Sequence, residues 1–179
     1  METRQDHDPA AARTPGPGRY EIDTAASALG FTTRHFFGLL PVRGTFAVGA
    51  GSVDVVEPLA ASSAHAEIDA GSFSTGNRAR DKTVRSPAFL DTARHPVMTY
   101  DADGVEEAAD GTWRITGTLT VAGAARPLAL EVLERNVGQG EFTVWAAADV
   151  DRREFGVTAS PGMTGRRLRV ELRVRCVRV

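Results

Sequence analysis

One cysteine, one lysine and no long apolar run set the first limits on this chain. A lone Cys176 cannot form an intramolecular disulfide, so the fold does not rest on cross-links. No stretch approaches the ~20 consecutive apolar residues that a membrane-spanning helix needs. Four histidines accompany the cysteine, without Cys-x-x-Cys, His-x-His or His-Glu-x-x-His spacing, so no metal is expected. Gly-x-Ser-x-Gly and glycine-rich phosphate loops are missing too. Cys176 has no base near it in sequence, and no catalytic residue is assigned. The opening METRQDHDPAAARTPGPG lacks the apolar core of a secretory signal, and the expected location is cytoplasmic.

What is present reads as one ordinary globular domain of 179 residues, 42% hydrophobic and 25% charged. The net charge of −2 points to no nucleic-acid partner, although the charge is uneven. Residues 152–179 hold eight arginines against Glu154 and Glu171, a net of +6. Residues 1–18 carry −1, which leaves 19–151 at −7. The first eighteen residues are polar and rich in Pro, Gly and Ala, and are expected to be a disordered tail.

From Tyr20 onward the hydrophobic period is two. Leu168, Val170, Leu172, Val174 and Cys176 alternate with Arg167, Arg169, Glu171, Arg173 and Arg175. Strands are predicted near 19–23, 27–35, 42–48, 51–57, 62–69, 97–106, 112–120, 126–135, 141–150 and 166–177. Asp110-Gly111, Ala122-Gly123, Gly138-Gln139-Gly140 and Pro161-Gly162 mark turns between them. Short alternating strands at this spacing make an antiparallel sandwich or a barrel, and the pattern leaves both open. The helical signal lies within 76–93, with Ser86-Pro87 as its expected start.

That helix sits in the most distinctive segment, TGNRARDKTVRSPAFLDTARHPVMTY, which gathers Arg78, Arg80, Lys82 and Arg85 around Asp81. Together with YEIDTAASALGFTTRHFFGLLPVRGTF, ASSAHAEIDAGSFSTGN, WRITGTLTVAGAARPLALEV and DRREFGV, it resembles the ordered signature of the YceI-like family. The resemblance spans about 20–178. It implies an all-β fold, an eight-stranded antiparallel lipocalin-like barrel over 19–179 with a short helical insert. It also implies an apolar lumen that binds polyisoprenoids or other long-chain amphiphiles, with no catalysis and no cofactor beyond the bound lipid. One departure concerns Thr83-Val84, which stand where the family has His-Leu; Asp151-Arg152 for Asn-Arg is milder. Many relatives carry a signal peptide, and this chain departs from them there.

The candidate lumen residues are the large apolar side chains Phe31, Phe36, Phe37, Phe46, Phe73 and Phe89. Met98, Trp113, Leu119, Trp145 and Phe155 extend the set. Each aromatic has a simpler reading as core filling. Arg78, Arg80 and Arg85 have the planar fork that suits an anionic head group. Against this stands a structural reading, in which Asp81 and Asp91 neutralise them in ion pairs. His35, beside Arg34, is included as a ligand contact. Two rival functions use the same residues: an enzyme with His35, Arg80 and Asp81 at the barrel mouth, and a haem or metal barrel with His35 as axial ligand. The expected partner is an isoprenoid or fatty-acyl amphiphile, with at most transient membrane contact and a possible homodimer.

Overall fold

The computed structural model describes residues 13–35 and 38–179. Ten strands follow one another: β1 (Gly18–Ile22), β2 (Ala28–His35), β3 (Leu40–Val55), β4 (Ser63–Ser74), β5 (Val97–Glu107), β6 (Trp113–Val121), β7 (Ala124–Pro127), β8 (Leu130–Val137), β9 (Glu141–Asp151) and β10 (Arg167–Arg178). One helix, α1 (Arg78–Arg85), and two 3-10 turns, Leu59–Ala61 and Arg152–Phe155, complete the set. Every strand pair is antiparallel. The order β10-β2-β3-β4-β5-β6-β8-β9 returns to β10, which gives a closed ring of eight positions. Closure removes the exposed edges that an open sheet must protect.

Ten strands fill eight positions because two positions are shared. β1 and β2 both lie between β10 and β3: β1 pairs Gly18–Glu21 with Ser52–Val55, and β2 pairs Leu29–His35 with Leu40–Phe46. β7 and β8 likewise share the flank of β6. The single strand expected over 126–135 is therefore two, and Leu133 falls at a register shift between Val132 and Glu134. The two strands expected over 42–48 and 51–57 are in contrast one. Shifts at Thr45/Ala47 and Val48/Ala50 bend that strand around the ring without ending it.

The helix lies where the signal was, but its start differs from expectation. Asn77 is the N-cap, accepting from the Arg80 backbone N–H at 3.0 Å, and Ser86 is the C-cap. Proline after Ser86 disfavours helical backbone at Ser86 itself, so Ser86-Pro87 closes the helix here and does not open it. Of the expected N-terminal tail, residues 1–12 lie outside the described residues. In residues 13–18, Pro15 is buried and the Gly16 carbonyl accepts from the Tyr20 hydroxyl at 2.7 Å.

The alternation of β10 is realised in space: its apolar residues turn inward and its arginines outward, across from β9 and β2. Arg175 pairs with Asp23 at 2.6 Å and with Glu141, and Arg169 pairs with Asp149 at 3.3 Å. The +6 segment is thus partly neutralised by neighbouring strands, each exposed pair contributing little, about 0–1 kcal/mol.

Inside, Phe31, Phe46 and Phe73 form an aromatic triangle with centroids 5.3–5.6 Å apart. Gly44 is the cross-strand partner of Phe31, and a Cβ there would lie 2.3 Å from the Phe31 ring and 2.7 Å from the Ser74 carbonyl oxygen. The ring can tilt away but the Ser74 backbone cannot. Gly44→Ala is expected to lower stability by about 1–3 kcal/mol, the usual cost of overpacking. Denaturant unfolding of the two proteins checks this, and a loss below half a kcal/mol contradicts it.

Candidate functional site

The ring is not packed solid. A cavity of about 340 Å³ runs along its interior, within the ~300–1,000 Å³ usual for small-molecule sites. At one end it is bounded by Ile22, Val53, Phe142 and Cys176; at the other by His35, Arg80, Phe155 and Arg152. Small inward residues leave this room: Gly30, Ala66, Ala102 and Gly104 all line it. Eight-stranded barrels sit at the size where side chains either fill the interior or leave space for one small ligand, so side-chain volume decides.

Among the predicted lumen residues, Phe31, Phe46, Phe73, Phe89, Met98, Leu119 and Phe155 all line the cavity. Phe36 and Phe37 lie outside the described residues. The two tryptophans are elsewhere. Trp113 is buried with Arg135 stacked on its ring at 3.9 Å and does not line the cavity. Trp145 falls in the outward register of β9, whose Phe142, Val144 and Val150 point inward.

The basic insert divides in the same way. Arg80 lines the cavity, with its guanidinium 3.3 Å from the Thr75 hydroxyl. Arg78 is exposed on α1. Arg85 straps the helix to β4 by donating to the Phe73 carbonyl, with its Nε buried and unpaired. The ion-pair cluster around Asp81 does not form. Asp81 is buried and accepts from the Thr75 backbone N–H at 3.0 Å and the Thr75 hydroxyl at 2.7 Å, while Asp91 pairs with Arg94 at 3.9 Å. Within 4.0 Å, no carboxylate among the described residues pairs with Arg78, Arg80, Lys82 or Arg85. Where the family has His-Leu, Thr83 bonds the Ala79 carbonyl at 3.0 Å and Val84 adds a lining methyl pair.

The residue that sequence reading missed is Arg152. It is only 8% exposed and lines the cavity. Its Nε donates to the Gly165 carbonyl at 2.8 Å, and its terminal nitrogens donate to Val157 at 2.8 Å and Thr164 at 3.2 Å. Its guanidinium also lies 5.8 Å over the Phe89 ring. The adjacent Asp151 is turned to Arg166, 2.7 Å away, so the buried guanidinium is held by carbonyl dipoles, with no carboxylate within 4.0 Å of it among the described residues and Asp151 opposing its desolvation only at a distance. Burial, and then the neighbouring Arg153, lower its proton affinity. The only signal in sequence was the Asp-Arg-x-x-Phe-Gly stretch, where it resembled another outward arginine.

His35 completes that end. Its pKa is pushed below the ordinary 6.5, first by burial and then by the charges of Arg80 and Arg152. No carboxylate among the described residues lines the cavity. The His35, Arg80 and Asp81 constellation is not assembled there, because Asp81 is held by Thr75 outside the lining. Nor do three or more His, Cys, Asp or Glu side chains gather as a metal site among the described residues. Cys176, deep in the opposite end, has its thiol pushed up to about 12 by burial.

A closed antiparallel ring of eight strand positions around an apolar lumen defines a barrel-like fold. The family model of the YceI-like domain matches residues 20–176, and the chain belongs to that family. A UPF0312 protein of Shewanella oneidensis is 28% identical over 168 residues, covering 89% of this chain and 87% of that one. A UPF0312 protein of Azotobacter vinelandii is 32% identical over 93 residues, which span 52% of this chain and 47% of that relative. Among solved structures, Burkholderia cenocepacia BcnA superposes with a TM-score of 0.74 at 19% identity, over 86% of this chain and 98% of its own. A polyisoprenoid binding domain from Saccharophagus degradans gives 0.70 at 17% identity, over 89% and 98%. These similarities establish the fold. Among the described residues no helix is long and apolar enough to cross a membrane.

The electrostatics of His35 give a pH signature. A histidine whose folded pKa lies below its unfolded value stabilises the fold above the unfolded pKa, and that contribution is lost as pH falls from 6.5 through the folded pKa. His65, raised by its hydrogen bond to Asp101, acts in the opposite sense, so the signature is a difference: the melting temperature of the native protein relative to His35→Gln is expected to fall as pH drops below 6.5. Imidazole NMR titration should place His35 below 6.5, with Arg80→Gln moving it upward. A histidine titrating at or above 6.5 contradicts the assignment.

Proposed function

We propose that the protein binds one long-chain amphiphile without transforming it, with the apolar tail in the barrel lumen. The observation that carries this reading is the elongated cavity, lined almost throughout by aliphatic and aromatic side chains and by no carboxylate. Apolar surface removed from water gains ~25 cal/mol per Å², so a tail can bind well with few directional contacts. The lumen supplies them through shape alone. A polyisoprenoid or a fatty-acyl chain meets this requirement. The first is what the similar domain from Saccharophagus degradans is described as binding.

The polar end of the ligand is placed at the His35, Arg80 and Arg152 end. Among the described residues no carboxylate lies within 4.0 Å of Arg80 or Arg152, and their charges add to burial in lowering the proton affinity of His35. A carboxylate or phosphate head fits that field. A non-catalytic role is favoured because no carboxylate among the described residues lines the cavity, and Asp81 is engaged by Thr75.

Chain length tests the reading. For a saturated acyl series presented to lipid-stripped protein, affinity is expected to rise about fourfold per added methylene, from ~0.8 kcal/mol each, and then plateau when the lumen is full. Isothermal titration or a displaced fluorescent acyl probe measures it. Ala102→Phe, which puts a ring into the lining, is expected to shorten the length at which the plateau falls. Affinity independent of chain length contradicts tail burial. Intrinsic tryptophan emission is a poor readout, since neither Trp113 nor Trp145 lines the cavity.

A further inference from the structure

The strand registers sort the charges of this chain along the barrel axis in a way that its sequence does not show. His35, Leu40, Ser74, Val97, Asp151 and Arg167 all fall at one end of the ring. Val55, Ser63, Glu107, Trp113 and Glu141 fall at the other. The first end carries the exposed cations Arg34, Arg43, Arg78, Lys82, Arg153 and Arg167 against the exposed acids Asp69 and Glu154. None of the six has a carboxylate within 4.0 Å among the described residues. The second end is mixed: the exposed acids Glu57, Asp103, Glu106, Glu107, Asp110 and Glu134 stand there with the exposed arginines Arg13, Arg19, Arg114 and Arg178, Arg114 directly across from Glu106. The net charge of −2 thus conceals a basic pole.

Large apolar side chains stand in water at the basic pole, as Val56, Leu133, Val177 and Val179 do toward the other end. Leu39 is 78% exposed and Leu40 52%, in the β2–β3 connection immediately before and at the start of β3. Met163, in the loop before β10, is 46% exposed. These two loops approach each other: Gly38 and Thr164 border one shallow depression with Arg34 and Arg167. Both also reach the lumen, since His35, Thr164 and Gly165 line it. Exposed apolar tips ringed by unpaired cations, at the charged end of an apolar lumen, combine two attractions. Each cation near an anionic lipid surface contributes through its charge, and the tips contribute by leaving water.

We propose that this pole docks on an anionic lipid bilayer, with Leu39, Leu40 and Met163 inserted at the headgroup boundary. The orientation points the His35, Arg80 and Arg152 end of the lumen at the membrane. Its meaning as a route for ligand transfer rests on the lipid-binding reading, whereas the docking itself does not. A protein partner is less well matched, because the apolar tips are few and separated by charge.

Flotation with vesicles tests it, using full-length protein, phosphatidylcholine vesicles, and phosphatidylcholine vesicles containing phosphatidylglycerol. Binding is expected to the anionic vesicles and to fall steeply when salt is raised toward physiological strength. Arg34→Gln with Arg153→Gln is expected to weaken it about fivefold per cation removed. Leu39→Ser with Met163→Ser is expected to weaken it at every salt concentration, and Glu106→Gln with Glu107→Gln to leave it unchanged. Circular dichroism and melting temperature confirm that each variant is folded. Equal binding to neutral vesicles, no binding to either, or indifference to the rim substitutions overturns the proposal. Self-association abolished by the Leu39 and Met163 changes, with no vesicle binding, overturns it in favour of a second copy on this face. Acyl uptake from a dispersed lipid, measured separately, distinguishes the two claims. Uptake without docking removes only the docking; docking without uptake removes only the lumen reading.

Discussion

Everything else depends on the closure of the ring by β9 and β10. Their ladder runs unbroken from Arg167 opposite Asp151 to Val177 opposite Glu141, and β10 then reaches β2 and β1 on its other side. Without that seam the inward faces of ten strands would be an open sheet with an apolar side in water. With it they enclose a lumen. Backbone hydrogen bonds supply the wall, so inward side chains need not fill the space to hold the strands together. This freedom lets glycine and alanine appear at inward positions where a packed core would need leucine.

Much of the fold was legible in the chain, for a reason seen best in β10. Its strict alternation of aliphatic and arginine residues has one physical solution, a strand with one face in the lumen and one in water. The division of one position between β1 and β2, and the continuity of β3 through Gly49, were not legible. Both depend on which partner a strand finds across the ring, which is a non-local fact. Ser86-Pro87 misled because serine before proline opens some helices and closes others, and the stronger cap at Asn77 settled the matter.

The site was legible in its aromatic part and opaque in its polar part. Phe31, Phe46 and Phe73 come together because phenylalanines in a barrel wall have few alternatives to the lumen. Trp113 found another, beneath the guanidinium of Arg135. Among the arginines, sequence gave no means of separating Arg80, in the lining, from Arg78, in solvent, or Arg152, buried on carbonyls. Arg80 precedes Asp81, Arg152 follows Asp151 and Arg78 stands between Asn77 and Ala79, all in polar stretches. Only the backbone of the 156–165 loop, folded back to offer three carbonyl groups, makes Arg152 an interior residue. That loop holds a charge that burial alone would expel, and it does so with dipoles in place of an acid.

The basic pole also has a kinetic meaning. A body with separated charge turns in the field of a charged surface before it touches, within the ~10 Å over which dilute salt lets that field persist. Near a negative surface, an approach led by Arg34 and Arg153 is drawn in more strongly than one led by the mixed charges around Glu106 and Arg114. Encounters are thus sorted by orientation at a distance, and fewer collisions are wasted on the wrong end. Such sorting acts on the rate of arrival and leaves the time of residence to the contacts that follow.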